Sequence, residues 1–342
     1  MTFGPPTWPS LEMRRFHEDL SNLGKSWDVP VQEYGRFNQH LALLEDRVRV
    51  SRFLEAIAFA SPGQIVVDVG AGTGVWALAA LKRGFEHAFL VEPSLKMCRY
   101  AAHLAELNGL SDRVTILPKA LEDIGAGDLP ENIDLLVSET LSSVIFGFGS
   151  WDVLPNLAAR VAGTGQIVPL RGRLFAALVT RDVSQRGPST GGLKLLEDMH
   201  LDLDLFDVTF RSGGNVWDKL GLLWDQHRGL LLEGEIASFD FRREPMVCLD
   251  GSDLVAPRDD IFVGVVMYWT VDMIEGRGNS LTSIDPNLTS WSPLFVRFRA
   301  PVRLLRGETL QCAIAFEAVD HPYKYALCIV GDSIQLSERL YW

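Results

Sequence analysis

Residues 65–74 read Ile-Val-Val-Asp-Val-Gly-Ala-Gly-Thr-Gly, and this stretch decides the fold. An apolar run that contains Asp68 predicts a buried strand, and glycines follow it at alternate positions, Gly70, Gly72 and Gly74. Glycine allows tight turns and lets a ligand approach the backbone without a Cβ in the way. The stretch therefore predicts a strand, a turn and a helix, with a ligand site at the carboxyl end of the strand.

Alternating strands and helices follow this stretch. Predicted strands cover residues 65–69, 87–92, 113–117 and 133–137, and predicted helices cover residues 74–83 and 94–108. This alternation is typical of a parallel sheet with right-handed crossovers. From about residue 172, β-rich runs separated by turn residues predict an antiparallel sheet or barrel instead.

These patterns divide the chain into three parts. Residues 36–60 show a long helical pattern, which Ser61-Pro62-Gly63 should end. We therefore predict an N-terminal helical segment over residues 1–60 that covers a cofactor. A Rossmann-like, doubly wound α/β domain should follow over residues 61–169. An antiparallel β-barrel domain for the substrate should occupy residues 170–342.

The acid that closes the second predicted strand indicates which cofactor binds. Glu92 ends the apolar run 87–92, where a carboxylate can bind the two hydroxyls of a ribose. Nicotinamide sites usually show Gly-x-Gly-x-x-Gly, whereas this chain has Gly-x-Gly-x-Gly preceded by Asp68. That spacing suits S-adenosylmethionine, which has no pyrophosphate to cradle. The alternative is a glycine-rich turn with no ligand, which Glu92 and Glu122 together disfavour.

Composition and charge limit the function classes. The chain has 342 residues, 47% hydrophobic and 22% charged, which is ordinary for a globular protein. Its formal net charge of −12 argues against a nucleic-acid partner, because such partners select basic surfaces. An acidic surface is compatible with a cationic substrate, although many enzymes are acidic without one.

The cysteines and the N-terminus indicate the compartment. None of the cysteines has the spacing of a metal site, so we expect reduced, buried thiols and no metal; they are Cys98, Cys248, Cys312 and Cys328. The first residues lack the basic start and apolar core of a signal peptide. No apolar run approaches the length of a membrane span. We therefore expect a cytoplasmic protein with no membrane partner.

The motifs together resemble the protein arginine N-methyltransferase family over nearly the whole chain. Residues 34–49 match its N-terminal helical pattern, and residues 120–123 match the loop that holds adenine. Residues 138–141 match the start of its acidic substrate loop, and residues 288–291 match its Thr-His-Trp loop. The resemblance implies a β-barrel with a helical dimerisation arm, here near residues 195–225, and hence a homodimer.

Roles follow from the same resemblance. It implies that Arg49 binds the methionine carboxylate of S-adenosylmethionine, that the Leu121 backbone and Glu122 hold the adenine, and that Glu139 is catalytic. S-adenosylhomocysteine would be the product. The residues expected on the substrate side are Tyr34, His40, Phe148, Ser290 and Trp291.

Two departures from the family pattern affect the acceptor site. The family has a second glutamate about ten positions after the first, but Phe148 and Gly149 lie there in this chain. The family's histidine is replaced by Ser290. Losing one carboxylate removes a charge-assisted contact of roughly 1.5–3 kcal/mol, which is enough to change the preferred acceptor.

Three functions are therefore in competition. The first is a methyltransferase that acts on a small molecule or a peptide through the altered site. The second is an arginine guanidino N-methyltransferase that acts on protein or free arginine with the one remaining glutamate. The third is a catalytically silent scaffold of the same fold. The preserved cofactor motifs argue against the scaffold.

From the sequence alone, several side chains have more than one interpretation. Glu139 can clamp a guanidinium or amine, act as a general base, or bond only the loop backbone. The apolar residues in 144–148 can pack the loop or line an acceptor pocket. Trp291 can stack on a planar or cationic acceptor or belong to the barrel core. His40 is expected to orient the N-terminal helix or contact the cofactor, and Tyr34 to close over the cofactor or pack.

Overall fold

The computed structural model describes residues 37–180 and 233–341, apart from short gaps. The gaps are residues 143–144, 147–149, 242–243, 249–250, 277, 286, 289, 292–293, 317–323 and 332–333. The predicted roles of Tyr34 and Phe148 and the predicted arm near 195–225 lie outside the described residues.

Two helices precede the first strand, α1 (Phe37–Glu45) and α2 (Arg47–Phe59). The prediction of one long helix over 36–60 is wrong at Asp46, which has an extended backbone. Its carboxylate Oδ1 accepts a hydrogen bond from the Arg49 backbone N–H at 3.0 Å, so Asp46 caps a new helix. The break places Arg49 in the first turn of α2.

The central part of the chain forms a parallel sheet, as predicted. Its strands are β1 (Ile65–Val69), β2 (His87–Val91), β3 (Val114–Leu117), β4 (Ile133–Ser138) and β7 (Val161–Val168), in the order β3-β2-β1-β4-β7. The helices between them are α3 (Val75–Lys82), α4 (Leu95–Leu107) and α5 (Ser150–Ala158). A short hairpin of β5 (Leu141–Ser142) and β6 (Ile145–Phe146) follows β4.

The strand order fixes where a ligand can bind. The chain moves outward from β1 to β2 and β3, and then returns to place β4 on the other side of β1. Ligands of open α/β sheets bind at this reversal, beyond the carboxyl ends of the strands. The residues at these ends are Gly70–Gly74 after β1, Glu92 after β2 and Glu139 after β4.

The remaining described strands form two antiparallel sheets. One has the order β10-β9-β8-β12-β13 with β14 also paired to β12, and the other has the order β11-β15-β16-β17. Their bounds are β8 (Arg171–Thr180), β9 (Glu233–Asp240), β10 (Glu244–Cys248), β11 (Ser252–Val255), β12 (Asp260–Asp272), β13 (Ser280–Thr282), β14 (Leu294–Leu304), β15 (Thr309–Phe316), β16 (Lys324–Gly331) and β17 (Ile334–Tyr341).

The antiparallel class is confirmed, but the described strands do not close into the predicted barrel. β10 ends one hydrogen-bonded sheet and β11 ends the other, so the two ladders stay separate. The predicted domain boundary near residue 169 stays a prediction, although it falls between β7 and β8. No helix in the described ranges has the length and apolar character needed to cross a membrane.

Candidate active site

The turn after β1 requires glycine at positions 70 and 72. Gly70 and Gly72 have φ values of +67° and +54°, in the left-handed region that side chains disfavour. A Cβ on Gly70 would lie 2.7 Å from Thr140 Cγ2, and one on Gly72 would lie 2.8 Å from His40 Cε1. The turn is therefore a tight cradle, with the His40 ring against Gly72.

Glu92 is fastened to this turn by backbone N–H groups. Its Oε2 accepts a hydrogen bond from Gly72 N at 2.8 Å, and its Oε1 accepts one from Ser94 N at 2.8 Å. Burial raises the pKa of Glu92, and these two N–H donors oppose the rise. Each carboxylate oxygen accepts more than one hydrogen bond, so Glu92 can still accept from a ligand.

Asp68 lies at the centre of the site with one oxygen unsatisfied. Its Oδ2 accepts from Ala77 N at 3.1 Å, whereas Oδ1 is buried with no hydrogen-bond partner among the described residues. Burial raises the pKa of this fully buried carboxyl from its ordinary 3.8 to about 8. In the ionised form this orphaned oxygen is an acceptor that a donor group on a ligand would satisfy.

The raised pKa of Asp68 predicts a pH-dependent stability. The folded chain keeps a proton that the unfolded chain releases near its ordinary pKa of 3.8. The free energy of unfolding should therefore fall as the pH rises from about 4 to about 8 and level off above that. We expect Asp68→Asn to remove this component, so the variant gains stability relative to wild type as pH rises. Urea unfolding of both proteins at several pH values measures it, and identical pH slopes would contradict the assignment.

Arg49 and Glu139 form an ion pair beside the glycine turn, between the Arg49 Nη2 and the Glu139 Oε2. Arg49 Nη1 also donates to Leu43 O at 2.8 Å. The guanidinium lies 5.1 Å from the Trp76 ring centre and 5.8 Å from that of Trp291. Burial raises the pKa of Glu139, and the Arg49 charge opposes that rise. The structure thus brings together the residues predicted for the cofactor carboxylate and for catalysis.

Ser290 approaches the same site through Asp46. Its backbone N–H and its hydroxyl both donate to Asp46 Oδ2, at 2.8 and 2.7 Å. Asp46 is 2% exposed and caps α2 with its other oxygen. In this arrangement Ser290 holds the helix that carries Arg49, and its predicted contact with an acceptor stays a prediction.

Two tryptophans hold the hairpin that follows Glu139. The Trp291 indole N–H donates to Leu141 O at 3.0 Å, and that of Trp269 donates to Ser142 O at 2.6 Å. The two rings meet edge to face with centres 5.3 Å apart. Trp291 is 8% exposed and contacts the loop backbone and Arg49, which favours packing over acceptor stacking. The role of Trp269 could not be predicted from the sequence, because its position inside a strand resembles that of any core residue.

The other predicted residues lie at the margins of the site. Leu121 is buried and Glu122 exposed in a short 3₁₀ turn after β3, beyond the same end of the sheet. In the apolar loop after Glu139, Ile145 is fully buried, which supports the packing interpretation for this residue. Ile145 also has a φ of +76°, an uncommon conformation for a β-branched side chain that often accompanies functional loops.

The arrangement fits a ribose-bearing cofactor with a charged tail. The cradle has no room for a Cβ, Glu92 lies on it, and Asp68 Oδ1 lacks a donor. Within the part of the chain that the structure describes, the buried Arg49 Nε also has no hydrogen-bond partner. A ligand carboxylate at this nitrogen would satisfy it. The binding roles of these residues stay predictions.

The known sequences that resemble this chain include methyltransferases. The sequence model of the family "Ribosomal protein L11 methyltransferase (PrmA)" matches residues 51–168. The histone-arginine methyltransferase CARMER of Anopheles gambiae is 32% identical over 152 residues, 44% of this chain and 24% of that protein. The probable histone-arginine methyltransferase CARMER of Drosophila melanogaster is 29% identical over 149 residues, 43% of this chain and 27% of that protein. The chain thus covers about a quarter of the length of these curated relatives.

Solved structures share the fold along most of the chain. Arabidopsis thaliana protein arginine methyltransferase 10 aligns with a TM-score of 0.63 and 17% identity, over 91% of this chain and 99% of that one. The Trypanosoma brucei PRMT1 enzyme–prozyme heterotetrameric complex with AdoHcy gives a TM-score of 0.63 and 17% identity, over 90% and 98%. Both confirm the predicted class of a Rossmann-like parallel sheet with helices followed by an antiparallel sheet region.

Proposed function

Because the chain resembles the protein arginine methyltransferases in sequence and fold, as its motifs predict, we propose that it is an S-adenosylmethionine-dependent methyltransferase. The observation that carries the proposal is the Glu92 carboxylate bound to the glycine turn at the strand-order reversal, with Arg49 and Glu139 beside it. A scaffold with no cofactor would have no need of this combination.

Different residues of the site would bind different parts of the cofactor. Glu92 would accept hydrogen bonds from ribose hydroxyls, Arg49 Nε would donate to the methionine carboxylate, and the Leu121–Asp123 turn would face the adenine. When bound, S-adenosylmethionine supplies a methyl group on a sulfonium that a nucleophile displaces in line. The contribution of the chain is to align the acceptor and keep water away from it.

Glu139 orients the acceptor and balances its charge. The Glu139 side chain is 10% exposed, and the guanidinium of its partner Arg49 lies over the Trp76 and Trp291 rings. The hairpin after Glu139 is held by Trp269 and Trp291 through two neighbouring carbonyls. A carboxylate held this firmly can orient a donor group on the acceptor or take a proton from it, with little rearrangement.

For the acceptor, we propose a small molecule or a peptide. Support comes from the residues that replace the acceptor-binding groups of the family: Phe148 and Gly149 stand where the second glutamate would be, and Ser290 donates to Asp46. The second candidate is arginine methylation, favoured by the retained Glu139 and by relatives named as histone-arginine methyltransferases. A silent scaffold is the third, which the intact glycine turn and Arg49 disfavour.

Methyl transfer from labelled cofactor distinguishes these candidates. Wild type is incubated with S-adenosylmethionine carrying a labelled methyl group and, in parallel, with free arginine, arginine-rich peptides and an extract of the native host. We expect a labelled small molecule or peptide from the extract, identified by mass spectrometry, and no label on arginine. Label on the guanidino group would support the second candidate, and failure to bind cofactor would support the scaffold.

We also propose that the protein is a cytoplasmic homodimer. The dimer rests on the family resemblance and on the description of the Trypanosoma brucei neighbour as a heterotetramer, and the cytoplasmic location rests on the sequence. Light scattering that gave a monomer mass at working concentration would contradict the dimer.

A further inference from the structure

A buried asparagine of the antiparallel region is hydrogen-bonded to the helix that carries Arg49. Asn279 Nδ2 donates to Arg52 O at 3.1 Å, although the two residues are 227 positions apart. Asn279 is 6% exposed, and its own carbonyl accepts from Met273 N at 2.9 Å. That second bond closes the turn between β12 and β13, so the asparagine backbone is fixed at the start of β13.

Within the described residues, the side-chain amide of Asn279 has a partner for its N–H donor but not for its oxygen. Its Oδ1 is buried, and no partner for it occurs in the described ranges. Buried polar atoms without partners are uncommon in proteins. Among the described residues, the side-chain bond to Arg52 O is therefore the contact that explains an amide at this buried position.

The Asn279–Arg52 hydrogen bond lies about one helical turn from Arg49. Arg52 follows Arg49 by three residues in α2, so a shift of the Arg52 carbonyl carries Arg49 with it. Ser290 holds the cap of the same helix through Asp46. Together these contacts fix the start of α2 at two points, both supplied by the C-terminal half of the chain. The Arg49–Glu139 ion pair is made from the helix that these contacts hold.

We propose that Asn279 is a positioning residue for Arg49, which tunes cofactor binding without contacting the cofactor. The inference rests on the proposed function, because the role assigned to Arg49 does. The β12–β13 turn, like Ser290, would thus help to position Arg49.

A double-mutant cycle tests the proposal. Binding of S-adenosylhomocysteine is measured by calorimetry for wild type, Asn279→Ala, Arg49→Ala and the double variant. Loss of one buried hydrogen bond should weaken binding about three- to ten-fold in the wild-type background. In the Arg49→Ala background the Asn279 change should have no effect, because the residue through which it acts is gone. Equal weakening in both backgrounds, or none in wild type, overturns the proposal.

Two further variants control for folding and for surface effects. Asn279→Asp keeps the size of the side chain but replaces the donating N–H with an oxygen, and it decides the question if the alanine variant does not fold. Asn287→Ala removes an exposed amide that donates to Asp285 Oδ1 within its own turn, and the variant should bind cofactor like wild type.

Hydrogen exchange provides a readout that needs no cofactor. In Asn279→Ala the amides of residues 46–56 should exchange faster, while those of β1 stay unchanged. Failure of wild type to bind S-adenosylhomocysteine would count against the proposed function, and the exchange result would then decide the role of Asn279. Unchanged exchange at 46–56 would overturn it.

Discussion

Glu92→Ala will abolish measurable cofactor binding, with an affinity for S-adenosylhomocysteine lowered roughly 100-fold or more. A charged carboxylate that accepts from two ribose hydroxyls contributes about 1.5–3 kcal/mol per bond, and about 1.4 kcal/mol corresponds to ten-fold in affinity. The substitution also frees the N–H groups of Gly72 and Ser94, which Glu92 now satisfies. Isothermal titration calorimetry measures the loss directly.

The matched control lies at the opposite end of the same strand. Glu86 immediately precedes β2 and is exposed, whereas Glu92 immediately follows β2 and is buried. Glu86→Ala should bind like wild type. Glu92→Gln, which keeps one acceptor oxygen, should fall between the two, and its thermal unfolding reports any effect on the turn itself. Unchanged affinity in Glu92→Ala would refute the assignment of the cofactor site.

Glu139→Gln will leave cofactor affinity within about three-fold of wild type and lower kcat about 100-fold or more, the range of general acid–base contributions. Glutamine keeps an oxygen for Arg49, so the guanidinium retains a partner. It has no negative charge with which to balance a cationic acceptor, and it cannot take up a proton. The measurement is a steady-state assay with the acceptor identified from labelled methyl transfer, combined with calorimetry of the cofactor.

A control for this variant again uses the other end of the strand. Glu131 precedes β4 and its side chain is 66% exposed, so Glu131→Gln should retain full turnover. If Glu139→Gln were fully active, the carboxylate would serve only the structure of the loop. A large loss of cofactor affinity would instead mean that the Arg49 contact requires the charge.

The parallel half of the fold could be predicted from the sequence because its signals are local. An apolar run followed by a glycine turn specifies β1 and its turn, and Glu92 marks the end of β2. The break at Asp46 was missed, since the apolar spacing continues across it and only the capping bond to Arg49 reveals a new helix.

The acceptor side was less predictable, because its contacts join distant parts of the chain. The Ser290–Asp46 bonds span 244 positions, and the Trp269–Ser142 bond spans 127. No pattern in either segment indicates its partner. Closure of the predicted barrel is not seen among the described strands, and the local pattern of each strand does not indicate which strands pair at the sheet edges.

The ion pair of Arg49 with Glu139 has a thermodynamic consequence. We propose that Arg49 binds the methyl donor and Glu139 the methyl acceptor, so the two ligands would share a single contact. An acceptor that draws Glu139 away from Arg49 changes the affinity for the donor, and linkage requires the donor to change the affinity for the acceptor by the same factor. The sign of this coupling decides whether the two ligands strengthen or weaken each other's binding.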